Sequence, residues 1–277
     1  MRGTDAEPTF EEAQGTIGAV LHGLIDQSWD AWDTASSAGA SAEGSMPILY
    51  FGDLLEYQNS TLRVVTVGLN PSGEEFPSGD RTARFSDAAG VSRSDPYRYY
   101  QALNLYFEQN PYRWFNDYEQ VLGGLGVSYT TDAKSTALHT DICSPVATAP
   151  TWTGLDNHSK DRLLDDGVPL WHELIRFLCP DVIVMSVAKE HLNRVAFVSS
   201  SDAQPIHTIT HNDDGAMRHQ PYAVMARWHD IDGRPALLIH ARAAQTPFGL
   251  VTHQDKHEIG QVAKTYYEET RPAPKVH

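Results

Sequence analysis

The sequence predicts an α/β protein: a three-layer α/β/α fold with a central, mainly parallel four-stranded sheet. Two observations carry this expectation. Four short apolar runs, at 63–67, 136–142, 181–187 and 235–240, have the length and composition of buried strands. Segments with helical spacing separate several of them, as crossovers do in a parallel sheet. A chain of 277 residues with 41% hydrophobic content can enclose one such core.

The elements follow in order. Ile17, Val20, Leu21, Leu24, Ile25, Trp29 and Trp32 recur at helical spacing, which predicts an amphipathic helix over 9–34. The Ala/Ser/Gly run 35–45 reads as a flexible linker. Residues 1–45 are thus expected to form a helix and linker, 46–270 the α/β domain, and 271–277 a disordered tail. Between the first two strands, 73–98 is rich in Gly, Pro, Ser and Arg, and 99–125 is aromatic and partly helical. That interval is long for a plain crossover and predicts a functional loop. A helix over 161–178 ends at Cys179-Pro180. The third strand and another helix follow, and then polar turns over 199–233 with a hairpin ending at Asp232-Gly233. A last helix over 254–269 follows the fourth strand.

Composition narrows the function. Nothing resembles a secretory signal, and the longest apolar runs are too short to span a bilayer, so a cytoplasmic protein with no membrane partner is expected. Cys143 and Cys179 show no metal or disulfide spacing, so reduced thiols, no metal and no cofactor are expected. Twenty-one Lys and Arg against 36 Asp and Glu give a formal charge of -15, which disfavours sequence-independent adhesion to a phosphate backbone. Arg81, Arg84, Arg93 and Arg98 form a local cluster that either meets phosphates or is solvated loop charge.

In parallel sheets, sites lie beyond the carboxyl ends of the strands. Three polar exits qualify here: Gly68–Gly73, Asp141–Thr153 and His240–Leu250. The first offers glycines for close backbone approach, a proline that stiffens the turn, and an amide that can orient water. Such an Asn-Pro turn also serves as a purely structural loop. His240 at a strand end can stabilise a departing anion or shuttle a proton.

With Gly68-Leu-Asn-Pro-Ser72 ending the first strand and His240 ending the last, the chain resembles the uracil-DNA glycosylase superfamily, most closely its mismatch-specific branch. The resemblance covers about a quarter of the chain. It implies a monofunctional DNA glycosylase that flips a base out of the duplex and leaves an abasic site without cutting the strand. It makes Asn70 the residue that positions the attacking water and His240 the residue facing the base O2. Gly68, Leu69, Pro71 and Asp141 then surround the base, with Phe76 or Phe85 stacked on it. Ser72, Arg242, Gln245, Phe248 and Leu250 are implied DNA contacts, Phe248 and Leu250 as wedge candidates. DNA is the implied partner, with the enzyme a monomer that needs no obligatory protein partner.

Two departures from the family shape the substrate. Asp141 occupies the position that carries a base-reading Asn in many relatives. An Asn amide accepts from uracil N3–H and donates to O4, whereas an ionised Asp only accepts. Asp therefore suits the N4 amino group of a cytosine-like base, unless it caps a turn through backbone N–H groups. Excision of ordinary cytosine would destroy host DNA, so a modified cytosine is expected, such as a hydroxymethylated or glucosylated base in phage DNA, with a role in anti-phage defence. After His240, relatives commonly continue with a Pro-Ser-Pro-like turn and this chain has Ala241-Arg-Ala-Ala-Gln-Thr-Pro247. A uracil or mismatch glycosylase of base-excision repair, a non-catalytic DNA- or nucleotide-binding module, and a hydrolase of a small substrate are the alternatives. His139, Asp141 and Cys143 alternate along a strand, which raises metal binding or a thiol nucleophile. His207, His211 and His219 match no ligand spacing.

Overall fold

The computed structural model describes residues 10–130, 133–242 and 244–272. Helix α1 (Phe10–Ser37) breaks at Gly18, where φ is +67°, and is followed by α2 (Leu54–Asn59), capped by the Asp53 carboxylate, and β1 (Val64–Gly68). Short turns lead to α3 (Pro96–Asn104) and α4 (Asn116–Leu125), then β2 (Leu138–Asp141), α5 (Asn157–Leu178), β3 (Val182–Val187) and α6 (Lys189–Leu192). The chain finishes with β4 (Val198–Ser199), β5 (Gln204–His211), β6 (Met217–Ile231), β7 (Arg234–Arg242) and α7 (His253–Thr270).

The α/β class is as expected, and the four apolar runs pair in parallel in the order β2-β1-β3-β7. Among the described residues, however, the sheet has seven strands rather than four. The stretch 199–233, expected as polar turns with a hairpin at its end, supplies all of β5 and β6, which extend the sheet antiparallel beyond β7. The physical reason is that this extension is polar and largely exposed, and only the second half of β6 alternates between buried and exposed positions. The expected Asp232-Gly233 turn joins β6 to β7, with both residues at positive φ (51° and 85°), as a two-residue hairpin requires.

Helices cover both faces of the parallel half. Successive strand residues point to opposite faces. On one face the Trp171 indole of α5 donates to Thr140 Oγ1 (3.1 Å), while on the other Tyr118 of α4 packs 5.8 Å from the His139 ring. Helix α1 joins the α5 side and α7 packs on α4. Burial of Leu21, Leu24, Ile25 and Trp29 makes α1 part of the same core cluster as the sheet.

The Ala/Ser/Gly run expected as a linker is packed instead. Ala42 N–H donates to Ala147 O (2.8 Å), Ala149 N–H donates to Ala40 O (3.2 Å), and Ser41 bridges to Thr148. Small side chains at 40 and 42 let the two segments approach, so this run buttresses the loop after β2. Of the expected tail, Arg271 is held by Asp181 (3.1 Å) and 273–277 lie outside the described residues. Among the described residues no helix is long and apolar enough to cross a membrane.

Candidate active site at the carboxyl ends of the strands

A cavity of about 730 Å³ opens at the carboxyl ends of β1, β2 and β3. Its floor is the Gly68–Ser72 turn, and Asp141, Glu75, His139 and Gln245 also line it. Gly68 is the register partner of Asp141. A Cβ on Gly68 would lie 2.4 Å from Asp141 Oδ1 and 3.0 Å from His139 Nε2, so a glycine is what lets both side chains reach across β1.

Asn70 is fixed by its amide nitrogen. Nδ2 donates to Pro71 O (2.9 Å), Val146 O (3.1 Å) and Thr148 Oγ1 (3.2 Å). Three acceptors around one nitrogen settle the orientation of the amide. Among the described residues nothing donates to Oδ1, which leaves that oxygen free to accept from a water in the cavity. Leu69 and Pro71 complete the floor, and Ser72 caps the turn that follows by accepting from Glu74 N–H (3.1 Å).

Asp141 does not cap a turn. Its side chain is 4% exposed, and among the described residues no hydrogen-bond donor serves it; His139 Nε2 lies 3.6 Å from Oδ1. A nearly buried carboxylate in this state is costly until a donor arrives. His139 is set from the core. The fully buried Tyr129 hydroxyl meets Thr66 Oγ1, which is 2.7 Å from His139 Nδ1. A chain in which Tyr129 donates to Thr66 and Thr66 to Nδ1 presents His139 Nε2–H toward Asp141.

Glu75 escaped the sequence reading. It is 2% exposed, accepts from the Tyr106 hydroxyl (2.5 Å) through Oε2, and lies 4.0 Å from Arg84 Nε. Burial pushes its carboxyl up to about 7, against the lowering effects of Tyr106 and Arg84. A carboxyl poised there is suited to move a proton at neutral pH. Between pH 4.5, its ordinary value, and about 7, the folded chain keeps a proton that the unfolded chain has lost. Stability therefore falls as pH rises through this window. Glu75→Gln is expected to remove the penalty, gaining little near pH 4.5 and about 3 kcal/mol above pH 7 by denaturant unfolding.

The stacking and wedge residues are corrected. Phe76 and Phe85 do not line the cavity; they stack on one another (5.7 Å, 16°) within a buried aromatic cluster that also holds Phe51 and Tyr106. The cavity wall instead carries Trp114, Tyr112 and Trp152, with Trp114 5.4 Å from the His139 ring. Phe248 is fully buried, donates its N–H to Ser186 Oγ (2.9 Å) and packs on Tyr118, so it anchors its loop and is no wedge. Leu250 is 40% exposed.

His240 is the main correction. In register, His240 pairs with Met185, Met185 with Val67 and Val67 with Thr140, so His240 lies in the row of Thr140, one residue out of step with Asp141. One residue of offset reverses the face. His240 and Arg242 therefore line a second cavity on the opposite side of the sheet, and neither lines the first.

The arginine cluster is used internally. Arg81 donates to the carbonyls of Gly44, Ser45 and Val91; Arg84 donates to those of Glu74 and Asn110; and Arg93 pairs with Asp26 and Asp30. Arg98 remains exposed. The cations that line the cavity are Lys160 and Arg194. Cys143 is buried 3.3 Å from His191 Nδ1, and burial pushes its thiol up to about 12, which argues against a nucleophile. Among the described residues no group of three or more His, Cys, Asp or Glu side chains is placed to hold a metal. No family model and no curated protein matches the chain.

Proposed function

We propose that this chain is a monofunctional DNA glycosylase of uracil-DNA glycosylase-like fold that takes a flipped, modified cytosine into the first cavity and hydrolyses its glycosidic bond. The observation that carries the reading is the Asp141 carboxylate, which faces a cavity of nucleoside size without a donor of its own. A cytosine N4 amino group supplies that donor. The volume leaves room for a substituent on the ring, since small-molecule pockets span about 300–1,000 Å³.

The chemistry follows from the lining residues. Asn70 Oδ1 accepts from a water and holds it against C1′, and Glu75 takes the proton that the water loses. As the bond to the base breaks, the sugar becomes oxocarbenium-like and negative charge gathers on the base. His139 Nε2–H, in place of His240, is the histidine donor at this cavity. Trp114 offers an aromatic face for the flipped ring. Lys160 and Arg194 are suited to the phosphates of the flipped nucleotide.

The presence of Lys160 in the cavity gives the monofunctional part of this reading a direct test. Borohydride added during turnover of a modified-cytosine duplex is expected to trap no covalent adduct, and the product should be an intact strand with an alkali-labile site. An adduct that disappears in Lys160→Ala would assign a Schiff-base mechanism instead. A second reading, hydrolysis of a free modified nucleoside, is favoured by the charge of -15 and by the internal use of Arg81, Arg84 and Arg93. Activity on the nucleoside that exceeds activity on DNA would support it.

A further inference from the structure

The face of the sheet that carries His240 holds a cavity of about 550 Å³, separated from the first by the Val187-Ala188 exit of β3. Its lining brings together Arg227 and His229 from β6, His240 and Arg242 from β7, and Lys189 from α6. Among the described residues no Asp or Glu lines it, in a chain with an excess of 15 acidic residues. Among the described residues neither Lys189, Arg227 nor Arg242 is in an ion pair; Arg242 instead meets the neutral Gln220 amide, and Arg227 reaches Ser199 Oγ at 3.4 Å.

Two polar atoms here are buried and unsatisfied: Arg227 Nε and His229 Nε2. His229 donates through Nδ1 to Phe197 O (3.1 Å), which holds the ring and leaves Nε2 as the open nitrogen. Like charges gathered without a counter-ion repel one another, and the buried Arg227 Nε donor without an acceptor adds to the cost. Burial, Arg227 and His229 together push His240 down to about 4, a sign of how closely these groups are crowded. An anion relieves all of these costs at once. A phosphate fits best, because its oxygens accept from guanidinium and ammonium groups; a free phosphate or a phosphate monoester also carries an ionisable proton for His229 Nε2, which a backbone phosphodiester lacks.

We propose that this second cavity is an anion site that binds a phosphate group, supplied as a free phosphate, a nucleotide or the backbone of a nucleic acid. The proposal does not depend on base excision in the first cavity. Inorganic phosphate, adenosine monophosphate and a short single-stranded oligonucleotide are titrated separately into the full chain, with calorimetry for affinity and histidine resonances for location. At least one of the three is expected to shift the His229 and His240 signals and to bind about tenfold or more weakly to Arg227→Gln. Lys189→Ala, at an exposed rim position, repeats the test without touching the sheet. Response to phosphate or the mononucleotide marks a small-molecule site. Response to the oligonucleotide alone, with a salt slope reduced by about one in the variants, marks a backbone contact. If none of the three binds, or if binding is the same in both variants, the proposal fails.

Discussion

Asn70→Ala is expected to lower base release by about 10²–10³-fold, the cost of losing a group that positions a reactant, while affinity for modified DNA changes little. The reason lies in the fixed amide. Its nitrogen is committed to Pro71 O, Val146 O and Thr148 Oγ1, so the turn is built to present Oδ1 rather than a rotating side chain. Alanine also strips those acceptors of their donor, at a cost of about 1–3 kcal/mol in stability. Single-turnover base release, read beside a thermal melt, separates the two effects. Loss of activity no greater than the loss of folded protein would remove Asn70 from the chemistry.

Asp141→Asn is expected to shift preference from a cytosine-like base to uracil. An amide at this position accepts from N3–H and donates to O4, whereas the carboxylate meets the N4 amino group. A pairing difference of about 1–3 kcal/mol corresponds to roughly 5–150-fold in relative kcat/KM. The fold should bear this change, because no backbone donor depends on the carboxylate and the neighbouring His139 Nε2, 3.6 Å away, can face an amide oxygen as readily as a carboxylate oxygen. Competition between uracil- and modified-cytosine duplexes measures the switch. An unchanged ratio would show that Asp141 does not read the base.

Why some of this was legible in the sequence and some was not follows from the strands. Val64–Val67 and Val182–Val187 are near-continuous apolar runs, broken by Thr66 and Ser186, because both faces of the parallel half are covered, so their ends, and with them Gly68 and Asn70, could be placed from sequence. β5 and the first half of β6 carry no such run, since they are exposed on the extension of the sheet. His240 was misplaced because β7 continues to Arg242, and sequence alone does not fix the register that puts His240 in the row of Thr140 rather than that of Asp141. Glu75 and Trp114 sit in the long 73–135 interval, where no periodicity marks a residue that tertiary packing turns toward the cavity. Phe76 and Phe85 lie in the same interval and went to the core, the usual fate of phenylalanine.

The central claim, that the first cavity excises a modified cytosine from DNA, is tested most directly by product analysis. The purified chain is incubated with duplexes containing uracil, cytosine, hydroxymethylcytosine or glucosylated hydroxymethylcytosine, and with the matching free nucleosides, and released base is identified by mass spectrometry. Release of a modified cytosine base from the duplex, lost in Asn70→Ala, is the predicted result. Efficient release of uracil alone, or no base released from any duplex, would contradict it.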